Sequence, residues 1–167
     1  ITDIECIYPT LTYPCHATIA TGCWPDRTGI NNNEIPDFFA KGRMDWYWWR
    51  EAIQVPTVVD FARQAGLTAS TVTWPVMCAS GAEYNIGEIW APREEDDPTP
   101  WFTRANSPAV AKIFEANKHM LRWMKTPQMD EFAAKCAADI IRAHRPDLML
   151  LHLSYVDHQR HRLGVHG

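Results

Sequence analysis

Helical patterns in this chain alternate with short runs that are typical of buried β-strands. A helical pattern over residues 57–65 ends at Gly66 and is followed by the β-branched run of residues 67–74. A second helical pattern ends near residues 144–146 and is followed by the nearly continuous apolar run of residues 148–153. Because such runs suit strands covered on both faces, the alternation predicts an α/β layered fold with a mostly parallel central sheet flanked by helices.

The predicted order of elements extends beyond these two units. Residues 2–8 alternate in hydropathy and are rich in isoleucine, which predicts a short strand. A helix is then expected with Pro14 in its first turn and with Gly22 placed to close it. Two more helices are expected after the Ser-Pro pair at 107–108 and the Thr-Pro pair at 126–127, because a cap residue followed by proline often starts a helix.

Composition and charge narrow the functional classes. The 167 residues are 46% hydrophobic and 22% charged, which is typical of a folded globular domain, and the net charge is −4. Lysine and arginine form no cluster, so we expect no nucleic-acid-binding surface. No apolar run approaches the ~20 residues that span a bilayer, so no membrane segment is expected in this chain. The oligomeric state is left open.

The number and spacing of the cysteines indicate whether the protein resides in a reducing or an oxidising compartment. There are five, Cys6, Cys15, Cys23, Cys78 and Cys136, and none forms a CxxC pair. An odd, scattered set argues against a disulfide framework and against a four-cysteine zinc site. We expect small, buried or half-buried thiols in a reducing compartment, which favours the cytoplasm; a secreted or membrane-anchored parent protein is the alternative.

Residues with catalytic chemistry follow the first and last predicted strands, where ligands of open α/β sheets bind. Thr12 lies just ahead of the first helix, where free backbone N–H groups bind phosphate oxygens; a plain helix-cap or turn threonine is the alternative. Asp157 and His161 are four residues apart, so on a helix they share one face and can converge on Zn²⁺; a surface carboxylate beside a histidine is the alternative. His16, one turn into the first helix, is expected to pack or cap rather than act as a base.

Three segments carry a family resemblance. Residues 9–33 (PTLTYPCHATIATGCWPDRTGINNN) resemble the nucleophile segment of the type I phosphodiesterase/nucleotide pyrophosphatase family of the alkaline phosphatase superfamily, whose pattern is P-T-x-T-[FY]-P-x-H, then T-G-x-x-P-x-x-x-G-I and an asparagine. Trp74-Pro75 resembles the family's W-P element, and residues 155–164 (YVDHQRHRLG) resemble its D-x-x-x-H-x-x-G element. The matched positions of the first segment are Pro9, Thr10, Thr12, Tyr13, Pro14, His16, Thr21, Gly22, Pro25, Gly29, Ile30 and Asn33.

The resemblance implies a role for each matched site residue. Thr12 would be the nucleophile, bound to one of two zinc ions and transiently carrying the phosphoryl group. Asn33 would donate its side-chain amide to a phosphoryl oxygen. Asp157 and His161 would be ligands of the other zinc ion. Tyr13 would face the leaving group or a nucleobase of a small-molecule phosphate ester, with simple packing as the alternative.

The same resemblance implies an alkaline-phosphatase-like fold that is incomplete in residues 1–167. The family has an upstream Asp-Gly turn, and downstream an Asp-His pair and a further histidine, which would complete both metal sites. We therefore expect a partial catalytic domain that binds zinc weakly, chiefly at Asp157 and His161, and that is inactive alone.

Hydrolysis of phosphodiester or pyrophosphate bonds is the leading prediction, and two alternatives stay open. One is a phosphomonoesterase or phosphonate hydrolase with the same nucleophile, and the other is a catalytically inactive binding fragment. Sulfate-ester hydrolysis is disfavoured, because sulfatases of the superfamily align a modified cysteine where this chain has Thr12. Cys15 stands where nucleotide-cleaving members often have asparagine. The tryptophan-rich residues 46–49 are expected to pack under a loop rather than line a pocket.

Overall fold

A small parallel sheet organises the chain. The computed structural model describes residues 5–36, 45–89, 99–121 and 127–164. Its strands are β1 (Ala69–Val72), β2 (Tyr84–Ile86) and β3 (Leu148–Leu151), in the order β2-β1-β3. Both neighbours pair parallel to β1, with Thr71 opposite Asn85 on one side and Leu150 on the other.

Helices surround this sheet. The first helix, α1 (Thr12–Thr21), begins at Thr12, with Leu11 as its N-cap. The sequence predicted that Thr12 would lie just before this helix, so the observed start is slightly earlier than expected. Gly22 closes α1 in the left-handed region at φ 68°, as predicted, and donates its N–H to Thr18. The remaining helices are α2 (Pro25–Thr28), α3 (Val58–Gln64), α4 (Thr99–Ala105), α5 (Ala111–Asn117), α6 (Gln128–His144) and α7 (Tyr155–Leu163), with 3₁₀ turns at Arg50–Ala52, Pro108–Val110 and Lys118–Met120.

The two faces of the sheet pack against different helices. Met149 and Leu151 of β3 contact the larger core cluster, which contains α6 residues such as Phe132 and Ile140. Leu150 contacts the cluster that contains Tyr13 of α1. Because neighbouring strand residues point to opposite faces, the sheet is covered by helices on both sides, which confirms the predicted α/β layered fold.

Some details differ from the sequence predictions. β3 is half-buried along its length rather than fully covered, because it lies at the edge of the described sheet. Residues 5–8 form no strand, and residues 2–4 of that prediction lie outside the described part of the chain. β2 and α4 were not predicted. Among the described residues, no helix combines the length and apolar character needed to cross a bilayer.

Candidate active site

The carboxyl ends of all three strands meet under the start of α1. Thr73 follows β1 and donates its hydroxyl to the carbonyl of His152, which follows β3, at 2.8 Å. Glu88 lies just beyond β2 and its Oε1 is 3.2 Å from His152 Nδ1. Parallel strands bring their ends to one edge, so residues far apart in sequence become neighbours here.

An open cleft of about 690 Å³ lies over this edge. Its walls include every site residue predicted from the sequence, namely Thr12, Tyr13, Asn33, Asp157 and His161. The starts of α1 and α7 and the loop after α2 each contribute to it. The structure therefore brings together residues that the sequence analysis had placed in one site, whereas their chemical roles stay predictions.

Thr12 does not cap its helix. The cap is Leu11, whose backbone is extended and which makes no side-chain cap hydrogen bond. The capping part of the alternative is therefore wrong, and a structural threonine at the helix start remains the alternative to a nucleophile. The hydroxyl of Thr12 stands instead on the first turn of a ten-residue helix, where the backbone N–H groups favour an anion.

Asn33 is hydrogen-bonded both to α1 and to the tryptophan-rich residues 46–49. Its Oδ1 accepts the N–H of Tyr13 at 2.9 Å, and its backbone carbonyl accepts the N–H of Tyr47 at 3.1 Å. Since the amide oxygen is engaged by the helix start, the amide nitrogen is the end of the side chain that remains to donate. Asn33 is thus held beside Thr12 with donor chemistry in the cleft.

Asp157 and His161 lie on one face of α7, as predicted. Asp157 Oδ2 and His161 Nε2 are 3.5 Å apart, and these side chains are 67% and 79% exposed. A carboxylate oxygen and an imidazole nitrogen this close, in reach of solvent, fit part of the ligand shell of a zinc ion. The described residues contain no group of three or more His, Cys, Asp or Glu side chains that could hold a metal.

Tyr13 belongs to the cleft wall, but its side chain packs into the protein. Its residue is fully buried, and its hydroxyl donates to Glu88 Oε2 at 2.8 Å. Of the two alternatives for Tyr13, packing is therefore the one that the geometry favours over contact with a leaving group. Trp46, whose ring meets that of Tyr13 edge-on at 5.3 Å, does line the cleft.

The other tryptophans of residues 46–49 behave as expected. Trp48 and Trp49 pack against the hydrophobic core, and the guanidinium of Arg104 lies 4.1 Å from the Trp49 ring centre. The packing prediction is thus confirmed for these two; Trp46 also packs against the core, on the cluster that contains Tyr13, and it lines the cleft in addition.

Two histidines that line the cleft, His16 and His152, have pKa values shifted in opposite directions. Burial and the charge of His152 lower the pKa of His16 to about 4. Burial also acts to lower the pKa of His152, but the hydrogen bond and charge of Glu88 outweigh it and raise that pKa. His16 Nδ1 donates to the Thr12 carbonyl at 2.7 Å, and its ring contacts Trp74 at 4.9 Å, so the expected packing role of His16 is confirmed.

Glu88 is the site residue that sequence reasoning missed. Only 4% of it is exposed, and its two oxygens bond to Tyr13 and His152. A carboxylate is seldom buried this deeply unless it is paired. The signal available in the sequence was a single acidic residue inside the apolar stretch IGEI, just after a strand.

Comparisons with known proteins give this geometry a family context. The sequence model of a family described as "Type I phosphodiesterase / nucleotide pyrophosphatase" matches residues 1–167. Venom phosphodiesterase 2 of Crotalus adamanteus is 27% identical over 171 residues, which cover 96% of this chain and 17% of that protein. Ectonucleotide pyrophosphatase/phosphodiesterase family member 3 of Bos taurus is 24% identical over 94% of this chain and 15% of its own length.

A solved structure supports the fold. Phosphonoacetate hydrolase from Sinorhizobium meliloti 1021, in complex with phosphonoacetate, superposes with a TM-score of 0.58 and 18% identity, over 92% of this chain and 38% of that one. The chain therefore spans well under half the length of the proteins it matches here.

Proposed function

Because the chain belongs to the type I phosphodiesterase/nucleotide pyrophosphatase family, we propose that the protein containing it hydrolyses phosphodiester or pyrophosphate bonds of a small phosphate ester, such as a nucleotide. The observation that carries this proposal is the convergence of Thr12, Asn33, Asp157 and His161 on one cleft. Phosphoryl transfer needs a nucleophile and an array of positive or donor groups around the phosphoryl oxygens.

Thr12 would supply the nucleophile. Its hydroxyl would attack phosphorus and displace the leaving alcohol or phosphate, which leaves the phosphoryl group on the threonine until water removes it. Its place on the first turn of α1 supports this role, because the helix start favours the negative charge of the phosphoryl group. The Asn33 amide nitrogen would donate to a non-bridging oxygen of the same group.

Two divalent metal ions would complete the site, and the carboxylate and imidazole ligands favour zinc. Asp157 and His161 would hold one, and the Thr12 oxygen would be a ligand of the other. When bound, such ions neutralise phosphoryl oxygens and make a hydroxyl a better nucleophile at neutral pH. We propose that the remaining ligands lie outside residues 1–167, so that this chain alone binds zinc weakly and turns over little substrate.

A substrate comparison tests the proposal. The protein that contains this chain should hydrolyse a nitrophenyl nucleotide diester faster than nitrophenyl phosphate or phosphonoacetate, measured by kcat/KM in the presence of zinc. Faster turnover of the monoester or of phosphonoacetate would support the alternative hydrolases of the same superfamily. Turnover of none of the three would contradict the proposed reaction and support a binding role.

A further inference from the structure

Two cysteines meet at the wall of the cleft. Cys6 Sγ and Cys15 Sγ are 3.5 Å apart, which is van der Waals contact between sulfur atoms. Cys6 is exposed, and Cys15, on α1, is half-buried and lines the cleft together with Thr12. All five cysteines are free thiols, but Cys6 is exposed, so the expectation of a buried or half-buried thiol is wrong for Cys6.

Hydrogen bonds fold the intervening chain back on itself. The Thr10 hydroxyl donates to the carbonyl of Ile7 at 2.9 Å, and the N–H of Leu11 donates to the carbonyl of Pro9 at 2.9 Å. These bonds return Cys6 toward the first turns of α1. The contact is thus a product of the local backbone, and closing it to the ~2.05 Å of a disulfide needs a movement of ~1.5 Å.

We propose that Cys6 and Cys15 form a reversible disulfide when the protein meets a small-molecule disulfide such as oxidised glutathione. The Cys6 thiolate attacks one glutathione sulfur, and the glutathione disulfide bond breaks as one glutathione thiolate leaves. Cys15, after losing its proton to solvent, attacks the Cys6 sulfur of the mixed disulfide and expels the second glutathione. The two protein thiols are oxidised, and the reagent is reduced to two thiols.

The surroundings set the order of these steps. Burial and the hydrogen bond with Cys6 raise the pKa of Cys15 to about 11, so Cys15 is a poor first attacker. Cys6 is exposed to the reagent and takes that role. Cys78 and Cys136 are buried, and burial raises the pKa of each, so they should not compete.

The disulfide would close a loop that contains Thr12 and would remove the Cys15 thiol from the cleft wall. Its formation does not depend on the proposed hydrolase activity, because it needs only the contact between the two sulfurs.

Thiol counting after oxidation tests this inference. The chain is incubated with oxidised glutathione at mildly alkaline pH, then denatured and alkylated, and its intact mass and peptides are measured. We expect five alkylated cysteines before oxidation and three after it, with a linked peptide that joins Cys6 to Cys15 and is released by dithiothreitol. Five alkylated cysteines after oxidation, glutathione retained on Cys6, or a link through another cysteine would each overturn the proposal.

Serine variants provide the controls. Cys6→Ser and Cys15→Ser each remove one partner, so the remaining thiol should end as a glutathione adduct or stay free. Cys23 follows the C-terminal end of α1. The Cys23→Ser variant should still lose two thiols on oxidation and give the same linked peptide. Circular dichroism of each variant shows whether it is folded, and a Cys23→Ser protein that is folded but no longer linked would overturn the proposal.

Discussion

The side-chain amide of Asn33 has two roles that a single substitution can separate. Its oxygen holds the start of α1 through the N–H of Tyr13, whereas its nitrogen is the proposed phosphoryl donor. Asn33→Asp keeps an oxygen for the helix and removes the donor. We expect unchanged or slightly higher stability, because a carboxylate suits a helix start, together with a fall in kcat of about 10²-fold or more.

Thermal unfolding and nucleotide-diester kinetics of the same Asn33→Asp preparation check this prediction. Near-normal kcat in a folded variant would mean that Asn33 only fastens the helix. Asn32→Asp is a suitable control, because Asn32 contributes an acceptor to the Asn33 N–H at 2.8 Å and does not line the cleft.

Glu88 should control the ionisation of His152. The pair is buried, with side-chain exposures of 4% and 14%, and Glu88 raises the pKa of His152. A raised histidine pKa gives stability that is fully present below the unfolded pKa of ~6.5 and that is lost as pH rises through the folded value. Glu88→Gln should therefore destabilise by about 1–3 kcal/mol near pH 6 and by less at higher pH.

Denaturant unfolding across pH, with an NMR titration of His152, measures both effects. In Glu88→Gln the pKa of His152 should fall. Glu83→Gln provides the comparison, because Glu83 pairs with Arg63 at 2.9 Å and has no histidine partner in the described part of the chain. A His152 pKa that is the same in wild type and Glu88→Gln would contradict the assigned pairing.

The local sequence explains why the place of Thr12 in the cleft was predictable and that of Glu88 was not. Thr12 lies in a dense motif with prolines and a histidine at fixed spacing, so its neighbours identify it. The partners of Glu88 are Tyr13 and His152, which lie far away along the chain. A lone acidic residue in an apolar stretch gives no hint of which distant groups neutralise it.

At the scale of elements, α3 depends on an ion-paired capping box. Asp60 accepts the N–H of Thr57 at 2.7 Å and meets Arg50 at 2.6 Å. Burial acts to raise the pKa of Asp60, but the bonds from Arg50 and Thr57 outweigh it and lower that pKa. This carboxylate therefore contributes stability that is present above the unfolded pKa of ~4 and that is lost as pH falls through the lower folded value.

Asp60→Asn should cost about 1–2 kcal/mol at neutral pH and less below about pH 4. Urea unfolding at several pH values measures this change. Glu115→Gln removes one partner of an exposed ion pair, whose atoms are 2.8 Å apart, and should cost under about 0.5 kcal/mol. If both variants lost the same free energy of unfolding, the Asp60 capping box would stabilise the protein no more than an exposed ion pair does.

The proposed zinc ligands on α7 give a second test at this scale. Asp157→Asn and His161→Gln should each lower the zinc affinity of the chain about tenfold or more, measured by isothermal titration calorimetry. His144→Gln changes a histidine that stacks on Tyr84 at 4.2 Å and should leave the affinity unchanged. Unchanged binding in both α7 variants would remove these two residues from the metal site.

Elements were predictable where hydropathy was strong. β1 and β3 stand in apolar or β-branched runs, and both were found, with shorter bounds. β2 is only three residues long and has polar Asn85 at its centre, so no period-two pattern marks it. Asn85 is buried because it bonds to Thr71 and to the Ala105 carbonyl, partners that only the folded chain supplies.

At the scale of the whole molecule, a layered sheet turns scattered motifs into one cleft. The predicted site residues lie on different elements and converge over the edge where the parallel strands end. The family context covers residues 1–167, whereas the venom relative is matched over 17% of its length. The motif positions therefore predicted the assembly of the cleft, and the substrate is a matter for experiment.

Hydrolysis of a nitrophenyl nucleotide diester by Thr12 variants tests the proposed nucleophile most directly. In the protein that contains this chain, Thr12→Ala should lower kcat by about 10³-fold or more, and Thr12→Ser should retain more activity because it keeps a hydroxyl. Thr18→Ala makes the same change on the same helix, outside the cleft, at a buried hydroxyl with no partner among the described residues, and should behave as wild type. A folded Thr12→Ala protein with kcat within about twofold of wild type would contradict the proposed role of Thr12.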